Sequence, residues 1–271
     1  MGSRTDTPGG NGGAFEDGFP PLAKEGQGGF QAEPQNPPRS PFVKGGSSRH
    51  GRQEFPDWVD RVGEDVPLLE GIRTTRAIRR LRPDPVPPAL IRKVCEAGTF
   101  APSGGNRQPW FFIAVTEPDR RAWVAERYRT VFHQYIRPAV EAAKDPSYPE
   151  AKRRNMQAAI DLADRLHEVP VHLFVAGWTR RGHPQLQALF PAIQNVLLAC
   201  RAVGLGASLT TAHLAFRTEL DAWLGLPPNC PTCAMIPVGW PVGKYGRPHR
   251  RSVDTCLFYE RFTPQPEPDG E

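Results

Sequence analysis

The sequence predicts a domain of helices and buried strands over residues 53–271, preceded by a disordered tail over residues 1–52. Three observations carry this. The first 52 residues are dominated by Gly, Pro, Ser and charge, with too few aliphatic side chains to offset chain entropy. Beyond them, apolar residues recur at helical spacing in some segments and as short continuous runs in others, the signatures of amphipathic helices and of strands covered on both faces. Finally, the loop Ala101-Pro102-Ser103-Gly104-Gly105-Asn106-Arg107-Gln108-Pro109-Trp110 joins a helical pattern to an apolar run, giving the order helix, polar loop, buried strand.

Phe55, Trp58, Val62, Val66, Leu68 and Leu69 mark a docking segment between tail and fold, and a short helix is expected over Leu68 to Arg80. The prolines between Arg82 and Pro88 forbid a helix there, and Pro88 opens the next one, whose Leu90, Ile91, Val94 and Cys95 share a face. Phe111 to Val115 reads as a buried strand, and Pro109 is expected to hold Gln108 extended. Helices follow over 119–143 and 150–167, interrupted by Asp145 to Pro149. Val169 to Trp178 is the central strand candidate, ahead of a turn from Thr179 to Pro184. Gln187 to Val203, closed by Gly204, is the most apolar helix and the expected core helix. Gly206 to Thr211 is compatible with a strand. Thr218 and Asp221 match a capping box for a helix ending at Gly225, and Cys233 to Trp240 is a further strand. From Pro241 onward, Gly, Pro, Arg and aromatic residues predict an extended arm.

Composition narrows the function classes. Lys and Arg number 34 against 29 Asp and Glu, a net charge of +5, but the positive charge is scattered, which argues against a nucleic-acid groove. No run approaches the ~18 apolar residues of a membrane span, and the N-terminus lacks the apolar core of a secretion signal, so a soluble cytoplasmic protein is expected. Five cysteines, an odd number in a chain of this length, read as reduced thiols. Cys230-Pro231-Thr232-Cys233 has no second pair to complete a metal centre and leads into a strand rather than a helix, unlike a redox pair. His172 lies in an apolar run and reads as a core histidine. No Ser-His-Asp constellation, Walker motif or G-x-G-x-x-G stands in its required context.

The residues that can carry chemistry fall into four groups. Arg73, Arg76, Arg79 and Arg80 recur at helical spacing, which suits either a phosphate or a solvated basic face. Arg247, His249, Arg250 and Arg251 form a second basic cluster, either closing on the same phosphate or decorating a surface arm. Ser103, Gly104, Asn106 and Gln108 offer donors and acceptors to a ring edge or cap an ordinary turn, and Gly104 and Gly105 tolerate left-handed backbone. Ser208-Leu209-Thr210-Thr211-Ala212 offers small side chains and backbone amides beside a strand.

Together these residues resemble the FMN-dependent nitroreductase family. The matching pieces are Thr74 to Leu81, Ala101 to Trp110, Gln194 to Thr211, Ile236 to Pro241 and Arg250 to Arg261, within residues 66–262. The resemblance implies an α+β, three-layer α-β-α fold with a mixed, largely antiparallel central sheet. It also implies a homodimer with exchanged terminal arms and FMN at the interface. By position, Arg76, Ala77 and Arg79, with Arg250 and Arg251, would surround the FMN phosphate. Pro102, Ser103 and Gly104 would line the isoalloxazine, supported by Asn106 and Gln108, while Thr210, Thr211 and Ala212 would present backbone amides to it. Thr75 and Ala77 replace an Arg and a Ser common in the family, and no carboxylate stands near Thr211. The implied activity is ping-pong electron transfer from NAD(P)H through FMN to nitroaromatics, quinones or related small molecules, without a side-chain general acid. Flavin-consuming chemistry, deazaflavin use and non-catalytic flavin or nucleotide binding are the alternatives. Trp123, Tyr128, Phe132 and Tyr135 form either an aromatic lid or core.

Deleting residues 1–52 is expected to leave FMN uptake and oligomeric state unchanged in absorption and size-exclusion measurements; aggregation or flavin loss would count against the tail assignment.

Overall fold

The computed structural model of the 271-residue chain describes residues 58–179 and 186–263, all within the compact unit Glu54–Glu271. The tail expected over 1–52, Phe55 and most of the turn expected from Thr179 to Pro184 lie outside the described residues.

The first helices are α1, Trp58–Arg61, and α2, Leu68–Thr74. The helix expected to run to Arg80 stops six residues early. Thr74 and Thr75 each turn a hydroxyl back onto a carbonyl four residues earlier, Glu70 and Gly71, at 2.7 Å. Such local bonding competes with helix continuation. Thr75 leaves with extended φ and ψ of −67° and 123°, and the Ile78 amide donates to Ala207 O at 2.9 Å. Sheet-edge pairing therefore takes over where helix was expected, and Arg76, Arg79 and Arg80 lie on extended chain rather than on one helix face. Gly206 allows this close approach: a Cβ there would stand 2.6 Å from the Leu81 side chain and 2.8 Å from that of Ile78.

Strand β1, Leu81–Arg82, leads to α3, Pro88–Thr99, with proline in its first turn as expected. Strand β2, Trp110–Val115, precedes α4, Pro118–Ala142, and α5, Glu150–Asp164. Strand β3, Val171–Gly177, is buried at every position. A 3₁₀ turn, Leu186–Leu189, enters α6, Phe190–Ala202. Beyond Gly204, the Leu205 amide returns to Cys200 O at 2.8 Å and closes the helix. Strand β4, Gly206–Ala207, the 3₁₀ turn Ala212–Phe216, α7, Arg217–Trp223, and β5, Thr232–Pro241, complete the fold. The expected Thr218–Asp221 capping box does not form. The Asp221 carboxylate instead accepts from the Thr232 hydroxyl at 2.7 Å and from the Thr232 amide, joining α7 to the start of β5.

Strands run in the order β1-β5-β3-β2, with β4 also on β5. Val238 faces Val171 of β3 and Ala207 of β4, so those two strands flank β5 on opposite sides. Each pairing among the described residues is antiparallel. Side-chain alternation divides the core into two layers. Val171, Leu173, Val175, Ala234 and Ile236 pack with α3 and α6 residues such as Leu90, Ile193 and Val196. Phe174 and Met235 point the other way, toward Tyr128, Phe132 and Leu162 of α4 and α5. Covering the sheet on both faces explains why its central strands read as continuous apolar runs. The fold is α+β with helices outside a largely antiparallel sheet, as expected.

Two wholly buried imidazoles face this second layer. His172 offers Nε2 to Leu166 O at 2.8 Å and otherwise sits in apolar surroundings, as a core histidine should. His213 lies edge-on to Phe174 with ring centroids 5.9 Å apart, and neither of its ring nitrogens has a partner among the described residues. Burial lowers both from an ordinary 6.5 to about 4. Between those values the unfolded chain binds protons that the folded chain refuses. Their contribution is therefore fully present above about pH 6.5 and lost as pH falls toward 4, by up to about 3 kcal/mol each. Thermal unfolding followed from pH 7 to 4.5 is expected to show a falling midpoint, with a shallower slope in His213→Phe; a profile unchanged by that substitution would exclude the His213 contribution.

Candidate functional site

Four of the predicted site residues, Arg79, Thr210, Thr211 and Ala212, line one open cleft of about 520 Å³. The extended chain after α2 brings Arg79, α4 brings Val131, Phe132 and Tyr135, and the stretch beyond β4 brings Thr210, Thr211 and Ala212. Phe132 and Tyr135 belong to one helical face with Tyr128, which stacks on Phe132 at 5.7 Å and is itself buried. Tyr128 and Phe132 are thus mainly core, while Tyr135 is 77% exposed at the cleft. Among the described residues no carboxylate lines it, and Arg79 is its one charged side chain.

The backbone beyond β4 is held by a bridge in which Thr210 and Met235 exchange both amide hydrogen bonds, at 2.9 and 3.0 Å. This engages the Thr210 amide. The Ala212 amide donates to Thr210 Oγ1 at 3.3 Å. Of the three amides expected to face a ligand, only that of Thr211 has no protein partner among the described residues. Thr210 Oγ1 also meets the Tyr128 hydroxyl at 2.8 Å. Ser208, just before it, buries a hydroxyl without a partner among the described residues.

The Pro102 to Gln108 loop stands apart from this cleft within one chain. Buried Ala101 and Trp110 anchor its ends while most of its residues are exposed. Ser103 Oγ accepts from the Gln108 amide at 3.0 Å, and the Gln108 side chain donates to Asn106 Oδ1 at 3.2 Å. Closing that short ring puts Gly105, Asn106 and Gln108 at φ of 61°, 50° and 49°. Gln108 is therefore left-handed rather than extended: the Ser103 bond outweighs the preference imposed by Pro109. Gly105 adopts the left-handed turn at no steric cost, whereas Gly104, which the sequence reading treated alike, does not.

The remaining basic residues are dispersed. Arg76 is exposed, donates to Lys244 O at 3.3 Å and borders a small recess with Arg201 and Tyr245. Arg201 stacks over the Tyr245 ring at 4.2 Å and donates to Thr74 Oγ1 at 2.8 Å. Ala77 is exposed between Arg76 and Arg79. Arg250 reaches His249 O at 2.9 Å, Arg251 is exposed, and Arg247 pairs with Glu70 at 3.1 Å. Cys230 and Cys233 are free and buried, and burial raises both thiols, Cys230 to about 11, away from a reactive thiolate.

A surface clamp missed in the sequence joins α4, which carries Phe132 and Tyr135, to α7. Trp123 of α4 stacks on Trp223 of α7 at 4.3 Å, with Arg127 over the first ring at 3.8 Å and Arg120 over the second at 4.1 Å. Arg127 also bonds Glu219 of α7 at 2.8 Å. Trp123 was legible as an interfacial residue from the α4 period, but its partner lies 100 positions away and carries no local signal.

An α+β fold with a basic, aromatic-walled cleft beside a sheet edge defines a class of small-molecule binding proteins. Residues 72–240 match the nitroreductase family, and the chain belongs to it. It is 28% identical over 205 residues to an NADH dehydrogenase of Thermus thermophilus, spanning 68% of this chain and 91% of that protein. It is 30% identical over 177 residues to a 5,6-dimethylbenzimidazole synthase of Rhodospirillum rubrum, spanning 61% and 78%. Among solved structures, it shares the fold of an FMN and NADPH-dependent nitroreductase from Sphigopyxis sp. strain HMH, with a TM-score of 0.55, 22% identity and coverage of 72% and 99%. Family membership makes the protein an oxidoreductase. Among the described residues no helix is long and apolar enough to cross a membrane.

Trp223→Ala is expected to destabilise the fold by roughly 2–4 kcal/mol, since it removes both a large aromatic side chain and its stacked partner contact. Denaturant unfolding checks this, and the near-ultraviolet dichroism of the paired indoles should disappear with it.

Proposed function

We propose that the protein is an FMN-dependent oxidoreductase that draws electrons from NADH or NADPH and passes them to nitroaromatic, quinone or related acceptors in a ping-pong cycle. The observation that carries this reading is the cleft lined by both Arg79 and Thr211, whose amide has no partner among the described residues. A cationic group and a free N–H donor on one wall suit a heteroaromatic ring that gains negative charge. The volume, about 520 Å³, suits a cofactor site. Within this reading FMN supplies the electron carrier, able to accept a hydride from the nicotinamide and release electrons to a second substrate. Arg79 and the Thr211 amide orient the ring and stabilise its charge, Tyr135 and Phe132 limit water at its open face, and Arg76, Arg250 and Arg251 answer for the phosphate. No side chain is needed as a general acid.

The working form in this reading is a homodimer. Leu68, Leu69, Ile72 and Phe100 expose large apolar surface around a groove between α2 and α6, and Val253, Leu257, Tyr259 and Phe262 do so along the arm. Apolar surface on this scale supports burial against a second copy. That copy would bring its own Pro102, Ser103, Gly104, Asn106 and Gln108 loop to the ring. The similarity to a 5,6-dimethylbenzimidazole synthase favours flavin consumption as the second reading, because flavin contains the same dimethyl-substituted ring bearing two nitrogens.

Purified protein mixed with FMN is expected to show a bound-flavin absorption spectrum that bleaches under NADH or NADPH without oxygen and recovers with a quinone. Arg79→Ala should weaken FMN binding by about 1.5–3 kcal/mol, the range for a hydrogen bond to a charged group. Stoichiometric loss of reduced FMN in air would select the consuming reading, and absence of FMN uptake would overturn both.

A further inference from the structure

Hydrogen-bond accounting assigns a direction to the Thr210 hydroxyl. The Tyr128 phenol is 3% exposed, and burial raises its pKa, so it keeps its proton. A buried O–H requires an acceptor, and Thr210 Oγ1, 2.8 Å away, is its acceptor among the described residues. Tyr128 therefore donates. The Ala212 amide donates to the same oxygen at 3.3 Å. A hydroxyl oxygen has two lone pairs, and both are now engaged, leaving the Thr210 proton without a protein acceptor among the described residues. Thr210 lines the cleft beside Arg79.

We propose that Tyr128 is a positioning residue that locks the Thr210 hydroxyl as a hydrogen-bond donor into the cleft, serving a carbonyl oxygen or ring nitrogen of the bound heteroaromatic group next to Arg79. The inference rests on the flavin reading given above. The Thr210 backbone is held in place by its amide and carbonyl, both bonded to Met235, and its hydroxyl is held by Tyr128 and the Ala212 amide. Tyr128 is held in turn by Phe132, stacked at 5.7 Å. A freely rotating hydroxyl can accept as well as donate, and so accommodates either charge state of a ligand. One whose lone pairs are filled can only donate, and it favours the state with more negative charge. Arg79 acts in the same sense. The pair thus stabilises the reduced ring over the oxidised ring, and does so through Tyr128, which itself lies in the core.

The experiment compares full-length, FMN-loaded wild type with Tyr128→Phe, Thr210→Val and Thr210→Ser, reading the flavin midpoint potential, FMN affinity and the unfolding temperature of each apoprotein. Thr210→Val and Tyr128→Phe are expected to bind reduced FMN about tenfold more weakly relative to oxidised FMN, a drop of about 30 mV for a two-electron couple. Thr210→Ser, which keeps the hydroxyl, should hold the wild-type potential. A merely structural role would move the unfolding temperature without this pattern. An unchanged or raised potential in Thr210→Val overturns the proposal while leaving FMN binding intact, as does a shift in Tyr128→Phe alone. If Tyr128→Phe fails to fold, the Val and Ser variants still decide whether the hydroxyl donates. Wild type that takes up no FMN overturns the proposal together with the reading beneath it, and is recognised by the missing flavin absorption.

Discussion

Met235 is paired with Phe174 on one side and bridged to Thr210 on the other, and it is completely buried. That double pairing joins the centre of the sheet to the cleft. Thr210 is tied by backbone bonds to a strand sealed on both faces, so this part of the cleft wall is anchored to the core. The arrangement shows how a stretch with only a two-residue strand before it is still tied to the sheet. Its small side chains follow from the same constraint. Gly206 leaves room for Leu81 and Ile78, and the arriving chain delivers Arg79.

Helix and strand compete most visibly between Thr74 and Leu81. Two threonine hydroxyls fold onto helix carbonyls, the helix stops, and the freed amide of Ile78 goes to Ala207. Had the helix continued to Arg80, three of the four arginines could have shared one face. Extended chain instead separates them, so that Arg79 reaches the cleft while Arg76 turns to the arm at Lys244. The α4–α7 clamp completes the opposite wall. Two indoles sandwiched between guanidinium groups hold α4, which carries Phe132 and Tyr135, against α7, which follows the Ala212–Phe216 turn.

Much of the fold was legible because burial writes a period into sequence. β3 and β5, covered on both faces, read as apolar runs, and α3, α4 and α6 read as stripes near their observed limits. The departures have local causes. Asp221 matched a cap but bonds Thr232, because a carboxylate reaches whichever donor the tertiary fold brings near. Gln108 follows a rule about proline until the Ser103 hydroxyl overrides it.

By itself the sequence determined the kinds of element, their order, and which residues could carry donors, acceptors and positive charge, since these depend on side-chain type and spacing. Tertiary structure alone decided which of those residues meet. It placed Arg79 and Thr211 in one cleft and left Arg76, the Ser103 loop and Arg250 outside it within one chain. It also spent the amides of Thr210 and Ala212 internally and brought the hydroxyl of Thr210 against that of Tyr128, 82 residues away. Hydrogen-bond direction depends on every donor and acceptor within reach, and that set exists only once distant segments have packed.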